Sequence, residues 1–222
     1  MPRPTETALR GRARALLEAM TERARWIYAL PRLEAPAAVR AIAAAKGLRC
    51  EGEEAGAARY AGENGSTSLV VLDSAELDVM LVEGAGPEAP EILAELLDKT
   101  GFYAQSTLLG TALDVKDGEA PKALRTLAHM VVAWDEDWSD LFLLHLASPD
   151  PVVRHDAVVA LTVAVMVAHD AGPAPALLDE AIRREKFPKL KETMSEAIGV
   201  IHASTGGPVQ ADPEAGGGPL TP

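Results

Sequence analysis

The chain has 222 residues, 48% of them hydrophobic and 24% charged, with a mean hydropathy of +0.04. That composition is globular, fits one or two domains, and excludes a collagen-like, disulfide-rich or wholly disordered polypeptide. The formal net charge of −12 repels phosphate backbones and anionic lipid, which argues against nucleic acid as a partner.

From Thr5 to Leu30, Leu9, Ala13, Leu16, Leu17, Met20, Ala24 and Ile27 recur at helical spacing, with Thr5 placed to cap and Pro31 to stop, so one amphipathic helix is expected. Its arginines, Arg10, Arg12, Arg14, Arg23 and Arg25, either pack on the acidic remainder of the chain or meet an anionic surface. Residues 1–49 carry a net +6, residues 50–150 a net −15 and residues 151–222 a net −3, so the middle is the acidic part. No export signal is visible in the opening segment. A second, Ala-rich helix is expected from Pro36 to Lys46, with Gly47 as its stop.

Cys50 is the only cysteine, so no intrachain disulfide and no cysteine-based zinc site can form; a reducing, cytoplasmic setting is the expectation. Residues 51–66 are rich in Glu, Gly and Ala without periodicity. Ser68–Leu72 and Leu77–Val82 have strand composition and are read as an antiparallel pair. A helix from about Pro87 to Lys99, ended by Gly101, follows; residues 102–115 are compatible with either strand or helix. From Pro121 onward helix follows helix, over about 121–134, 139–147, 151–169, 174–186 and 188–203. The apolar run Ala157–Ala168 is too short to cross a bilayer and is read as a buried helix. Ser204–Pro222, with five Gly and four Pro, is expected to be a disordered tail.

Asp150-Pro151-Val-Val153-Arg154-His-Asp-Ala157-Val-Val-Ala160-Leu161 places a capping Asp, a first-turn Pro and one apolar stripe in a single helix. These residues fit the pattern DPxVRxxAxxAL, which resembles the opening helix of a HEAT-type repeat of the short bacterial, PBS-lyase-like variety. Weaker echoes lie at Leu124-Arg125 and at Leu190-Lys191, the latter with Pro188 two places before it as Pro151 stands before Val153. The resemblance implies helix hairpins that bury their apolar faces by stacking, and gives Arg154 a structural role in binding carbonyls or acids of adjacent repeats. The expected fold class is therefore mainly α, a HEAT-like α-hairpin stack at residues 121–203, preceded by a smaller α+β or helical region at residues 1–120.

No GxGxxG, Walker-type, HExxH, GxSxG or CxxC string occurs. Of the five histidines, His129, His145, His155, His169 and His202, the pairs His155-Asp156 and His169-Asp170 are nearly four turns apart on one helix, and they are read as ordinary helix residues. Trp134-Asp135-Glu136-Asp137-Trp138 joins two helices and is the candidate partner-binding segment, since aromatic anchors beside charge are common where proteins meet; the alternative is that the two Trp cover hairpin ends while Asp137 or Ser139 caps a helix. Arg183, Arg184, Lys186, Lys189 and Lys191 form the one basic patch of the C-terminal half, suited to an acidic peptide or simply to helix dipoles and solubility.

By resemblance the function expected is a non-catalytic protein-binding scaffold or adaptor, without cofactor or metal. Two alternatives stay open: an acidic immunity protein or antitoxin that masks a basic partner, and a helper in cofactor attachment of the HEAT-like lyase type. The partner expected is another protein, with self-association left open.

Overall fold

The computed structural model describes residues 25–54, 56–63, 65–134 and 136–206, with the side chains of residues 136 and 137 excepted. Its contacts divide the chain into two compact units, Met1–Val132 and Ala133–Pro222. The division falls beyond residue 120, because the helix expected to open the repeat region packs within the first unit.

The first unit is built on five strands, β1 (Arg25–Pro31), β2 (Arg49–Glu54), β3 (Ala57–Ala61), β4 (Ser68–Ser74) and β5 (Val79–Ala85). All neighbours are antiparallel, in the order β1-β5-β4-β3-β2. The expected β4–β5 pair is the centre of this sheet, with Ser68 opposite Ala85 and Ser74 opposite Val79.

Two expectations are corrected here. Residues 25–30, assigned to the end of the first helix, are strand; the remainder of that helix lies outside the described residues. Trp26, Tyr28 and Leu30 fall on one face of the sheet and Ile27 and Ala29 on the other, so the period is two, and pairing with β5 decides the conformation. Residues 51–66 are not a plain irregular stretch but supply most of β2 and all of β3. Their side chains are mostly exposed, so no apolar alternation marked them.

Helices α1 (Ala35–Ala45) and α2 (Ala89–Thr100) cover one face of the sheet. Val39, Ile42 and Ala43 of α1 and Ile92, Leu93 and Leu96 of α2 pack on Leu69, Val71, Met80 and Val82. The opposite face carries Leu77, Val79 and Leu81 with Met130, flanked by Leu108. Within residues 102–115, Gln105–Leu113 form helix α3, which packs on α4 (Ala120–Ala128). The outer edge of β1 is partly closed, since the Tyr103 N–H donates to the Ala29 carbonyl at 2.9 Å. On β2, the other edge, Glu51, Glu53, Glu54 and a bulge at Cys50/Gly52 discourage further strand addition.

The second unit is helical: α5 (Glu136–Leu146), α6 (Pro151–Ala168), α7 (Ala174–Arg184) and α8 (Pro188–Thr205). Asp150 caps α6 by accepting from the Val152 N–H at 2.8 Å, and Pro151 sits in the first turn. α6 buries Ala157, Val158, Ala160, Leu161, Ala164 and Val165. It packs along α8 and against α5, with a smaller contact to α7, while α7 lies against α8. Taken whole, Pro151–Ala168 is long and apolar enough to cross a membrane, which the Ala157–Ala168 run alone is not; it touches all three others of this unit, as α7 also does. Ser204 and Thr205, assigned to the tail, close α8, and residues 207–222 lie outside the described residues.

Two glycines with opposite surroundings test the fold of this unit. A Cβ on Gly86, whose φ is +98°, would meet the Ser66 carbonyl oxygen at 1.9 Å, whereas one on Gly110 inside α3 meets nothing within 4 Å. Gly86→Ala is expected to lower unfolding stability by about 3 kcal/mol or more, and Gly110→Ala to raise it by about 0.5–1 kcal/mol, both read from denaturant melts of the full chain.

Candidate functional site

The four helices of the second unit run alternately, so the α5–α6 and α7–α8 turns lie at one end and the α6–α7 turn at the other. The richest polar chemistry is at the first end. Arg154, in the opening turns of α6, reaches across to Glu185, which ends α7. Its Nε donates to Glu185 Oε2 at 2.7 Å and its Nη2 to Oε1 at 3.0 Å, a two-point pair. Its Nη1 donates to the carbonyls of Ser148 and Pro149 at 2.8 and 3.0 Å. The side chain of Glu185 is 1% exposed and that of Arg154 12%.

Glu185 also accepts from the backbone N–H groups of Lys186 and Phe187 at 2.7 and 2.9 Å. The Arg154 guanidinium, helped by those N–H donors and opposed by burial, holds the Glu185 carboxyl well below its usual 4.5, at about 2. Phe187 then turns its ring over the guanidinium, 5.7 Å from centroid to Cζ, and remains 53% exposed. Arg154, Glu185 and Phe187 therefore tie the turn that precedes α6 to the turn that precedes α8.

Beside this clamp is an open cleft of about 390 Å³. Leu143, Leu146 and Ala147 of the α5 end, Ala181 and Arg184 of α7, and Lys186 and Phe187 of the α7–α8 turn are among its walls.

The expected repeat residues Asp150, Pro151, Val153, Arg154, Ala157 and Leu161 share α6, and only Arg154 reaches the cleft. The segment Trp134–Trp138 is at the opposite end. Trp134 lies on Gly172, donates its Nε1–H to the Asp170 carbonyl at 2.8 Å and leans on Phe142 at 5.9 Å. Its indole thus fastens the start of α5 to the α6–α7 turn. Trp138 is half-buried, and the side chains of Asp135, Glu136 and Asp137 lie outside the described residues. Asp137 and Ser139 fall within α5, so neither occupies a capping position.

The histidines do not converge. His145 is fully buried and His155 exposed beside Asp156, while His169 ends α6 in a left-handed conformation, φ 54°. Burial and then Arg125 push His129 below its ordinary value. Among the described residues no group of three or more His, Cys, Asp or Glu side chains is arranged to hold a metal ion.

Glu185 and Phe187 are the functional-site residues that sequence reasoning passed over. Glu185 stands 31 positions from Arg154, beyond any helical spacing rule. The available signal was its position as the lone acid within Arg183-Arg-Glu-Lys-Phe-Pro-Lys-Leu-Lys191.

Compared with protein-family models, with curated proteins and with solved structures, the chain matches none.

Removing one partner of a buried ion pair strands the other charge. Glu185→Ala is therefore expected to cost about 3–5 kcal/mol, with the Arg154→Met/Glu185→Leu double variant recovering much of the loss in denaturant melts. The folded-state carboxyl titrates below its unfolded value, so the pair contributes fully above about pH 4.5 and is lost as pH falls towards about 2. Glu185→Gln should flatten the acid limb of the stability curve over that interval and leave its alkaline limb unchanged. At the other end, Gly172 has φ +46° and a Cβ there would lie 2.4 Å from Trp134 Cδ1; Gly172→Ala should expel the indole and red-shift the tryptophan emission.

Proposed function

We propose that this chain is a non-catalytic protein-binding scaffold whose second unit stacks helix hairpins in the HEAT manner and presents its turn end to another protein. The observation that carries it is the Arg154 clamp, which bonds the carbonyls of Ser148 and Pro149 ahead of α6 and the acid Glu185 ahead of α8. In a stack, first helices lie along first helices and second along second. The contacts of α6 with α8, both first helices, and of α5 with α7, both second helices, support this reading. A stack held by such clamps is rigid at its turns, and a rigid turn surface loses little conformational freedom on docking. The single exposed Cys50 suits a reducing compartment such as the cytoplasm.

A second reading, an acidic inhibitor that masks a basic partner, draws on β2, an open sheet edge carrying Glu51, Glu53 and Glu54.

Crosslinking in the native cells, followed by purification of the full chain, separates these. The scaffold reading expects a stoichiometric protein whose crosslinks map to α5–α8. Crosslinks confined to β2 and its neighbours, with binding that collapses at high salt, would support the inhibitor instead. Finding neither a protein partner nor self-association would dispose of both.

A further inference from the structure

Resting on the protein-binding reading above, we propose that the cleft at the α5–α6/α7–α8 end of the second unit takes an acidic segment of the partner, one apolar side chain entering between Leu143, Leu146 and Phe187 while flanking carboxylates meet Arg184 and Lys186.

Charge is the first ground. Of the six Lys and Arg residues after position 150, five lie between Arg183 and Lys191. The one acid in that stretch, Glu185, is spent on Arg154 and two backbone N–H groups. Arg184 is held by Glu180 one turn earlier on the same exposed helix face. Such a surface pair is weak and exchanges readily for a better acceptor. Lys186 is exposed, lines the cleft, and has no ion pair among the described residues. Arg154, Arg184 and Lys186 line the cleft with Glu180 and Glu185, and since both acids are already bonded to arginine, Lys186 is left as the wall's unmatched charge among the described residues of a chain with net charge −12. Screening over about 8 Å at physiological salt confines the opposing field of the remainder.

Shape and apolar surface are the second ground. The Leu143, Leu146, Ala147 and Ala181 wall is backed by Phe187, a large ring left half in water yet fixed in place by the guanidinium beneath it. A volume of about 390 Å³ holds one large side chain with its backbone. A nucleic acid or lipid headgroup would use the cations and leave that wall wet. A peptide with an apolar residue between carboxylates uses both.

The probe is a short fluorescein-labelled peptide with one phenylalanine flanked on both sides by glutamates, titrated into the full chain by anisotropy. Micromolar binding is expected. Replacing its glutamates by glutamine, or its phenylalanine by serine, should each weaken it about tenfold, as should Lys186→Glu in the protein. Phe187→Ser, which leaves a competent helix cap, should weaken the phenylalanine peptide and not the serine one. Amide and methyl shifts should centre on Leu143, Leu146 and Phe187.

Equal affinity for the glutamine peptide, indifference to Lys186→Glu, shifts centred elsewhere, or tighter binding to phosphatidylserine vesicles or single-stranded RNA than to the peptide would overturn the assignment. If the peptide fails while crosslinking in cells still yields a partner on α5–α8, the cleft assignment falls and the scaffold stands. Absence of any protein partner removes the scaffold as well.

Discussion

Taking a carboxylate and a guanidinium out of water costs several kcal/mol per ion, and attraction between them offsets that only when every remaining hydrogen-bonding site is also filled. At Arg154 and Glu185 the filling is close to complete. The carboxylate receives two donors from the guanidinium and two from the backbone, and the guanidinium spends its remaining contacts on two carbonyls and an aromatic face. Those backbone partners exist only if both inter-helix turns have their folded shape. The pair therefore fixes loop geometry as much as it adds stability, and the positions of α6, α8 and the cleft beside them follow from it.

The first unit solves a different problem. A five-stranded antiparallel sheet has two faces and two edges, and here each is handled separately. One face takes two helices; the other takes Met130 with Leu108 beside it. The edge at β1 is partly closed by Tyr103, with Phe102 set edge-on to Tyr28 at 6.1 Å. Gly84 lets Leu93 of α2 settle against β5, where a Cβ would stand 2.6 Å from Leu93 Cδ1. Among the described residues the β2 edge is open and charged, and its exposed acids account for part of the negative charge of the middle of the sequence.

What the sequence made legible was local. Asp150-Pro151 announced the start of α6, and Gly101 the end of α2, because capping and helix termination are written within a few residues. Arg25–Pro31 was misread because Ile27 fits a helical stripe as well as a strand, and its β5 partner lies more than fifty residues away. β2 and β3 were invisible for another reason: they are strands chiefly by backbone bonding, β3 to β4 and β2 to β3, which side-chain pattern does not encode. The candidate site divides in the same way. Arg154 was visible through its helix, whereas Glu185 and Phe187 become meaningful only when the α7–α8 turn folds back beside it.

That distance in sequence also explains why the basic stretch 183–191 is compatible, as sequence, with either an acidic peptide or helix dipoles and solubility. Counted along the chain, Glu185 dilutes it; in three dimensions Glu185 belongs to Arg154. Once the acid is assigned to its buried partner, Arg184 and Lys186 stand as the stretch's cations on the wall of the apolar hollow, with Glu180 paired to Arg184. Net charge is a property of the whole polypeptide, but recognition depends on potential within a Debye length of the surface, and there the sign is set by which charges are already matched inside. An acidic protein can in this way offer a positive face.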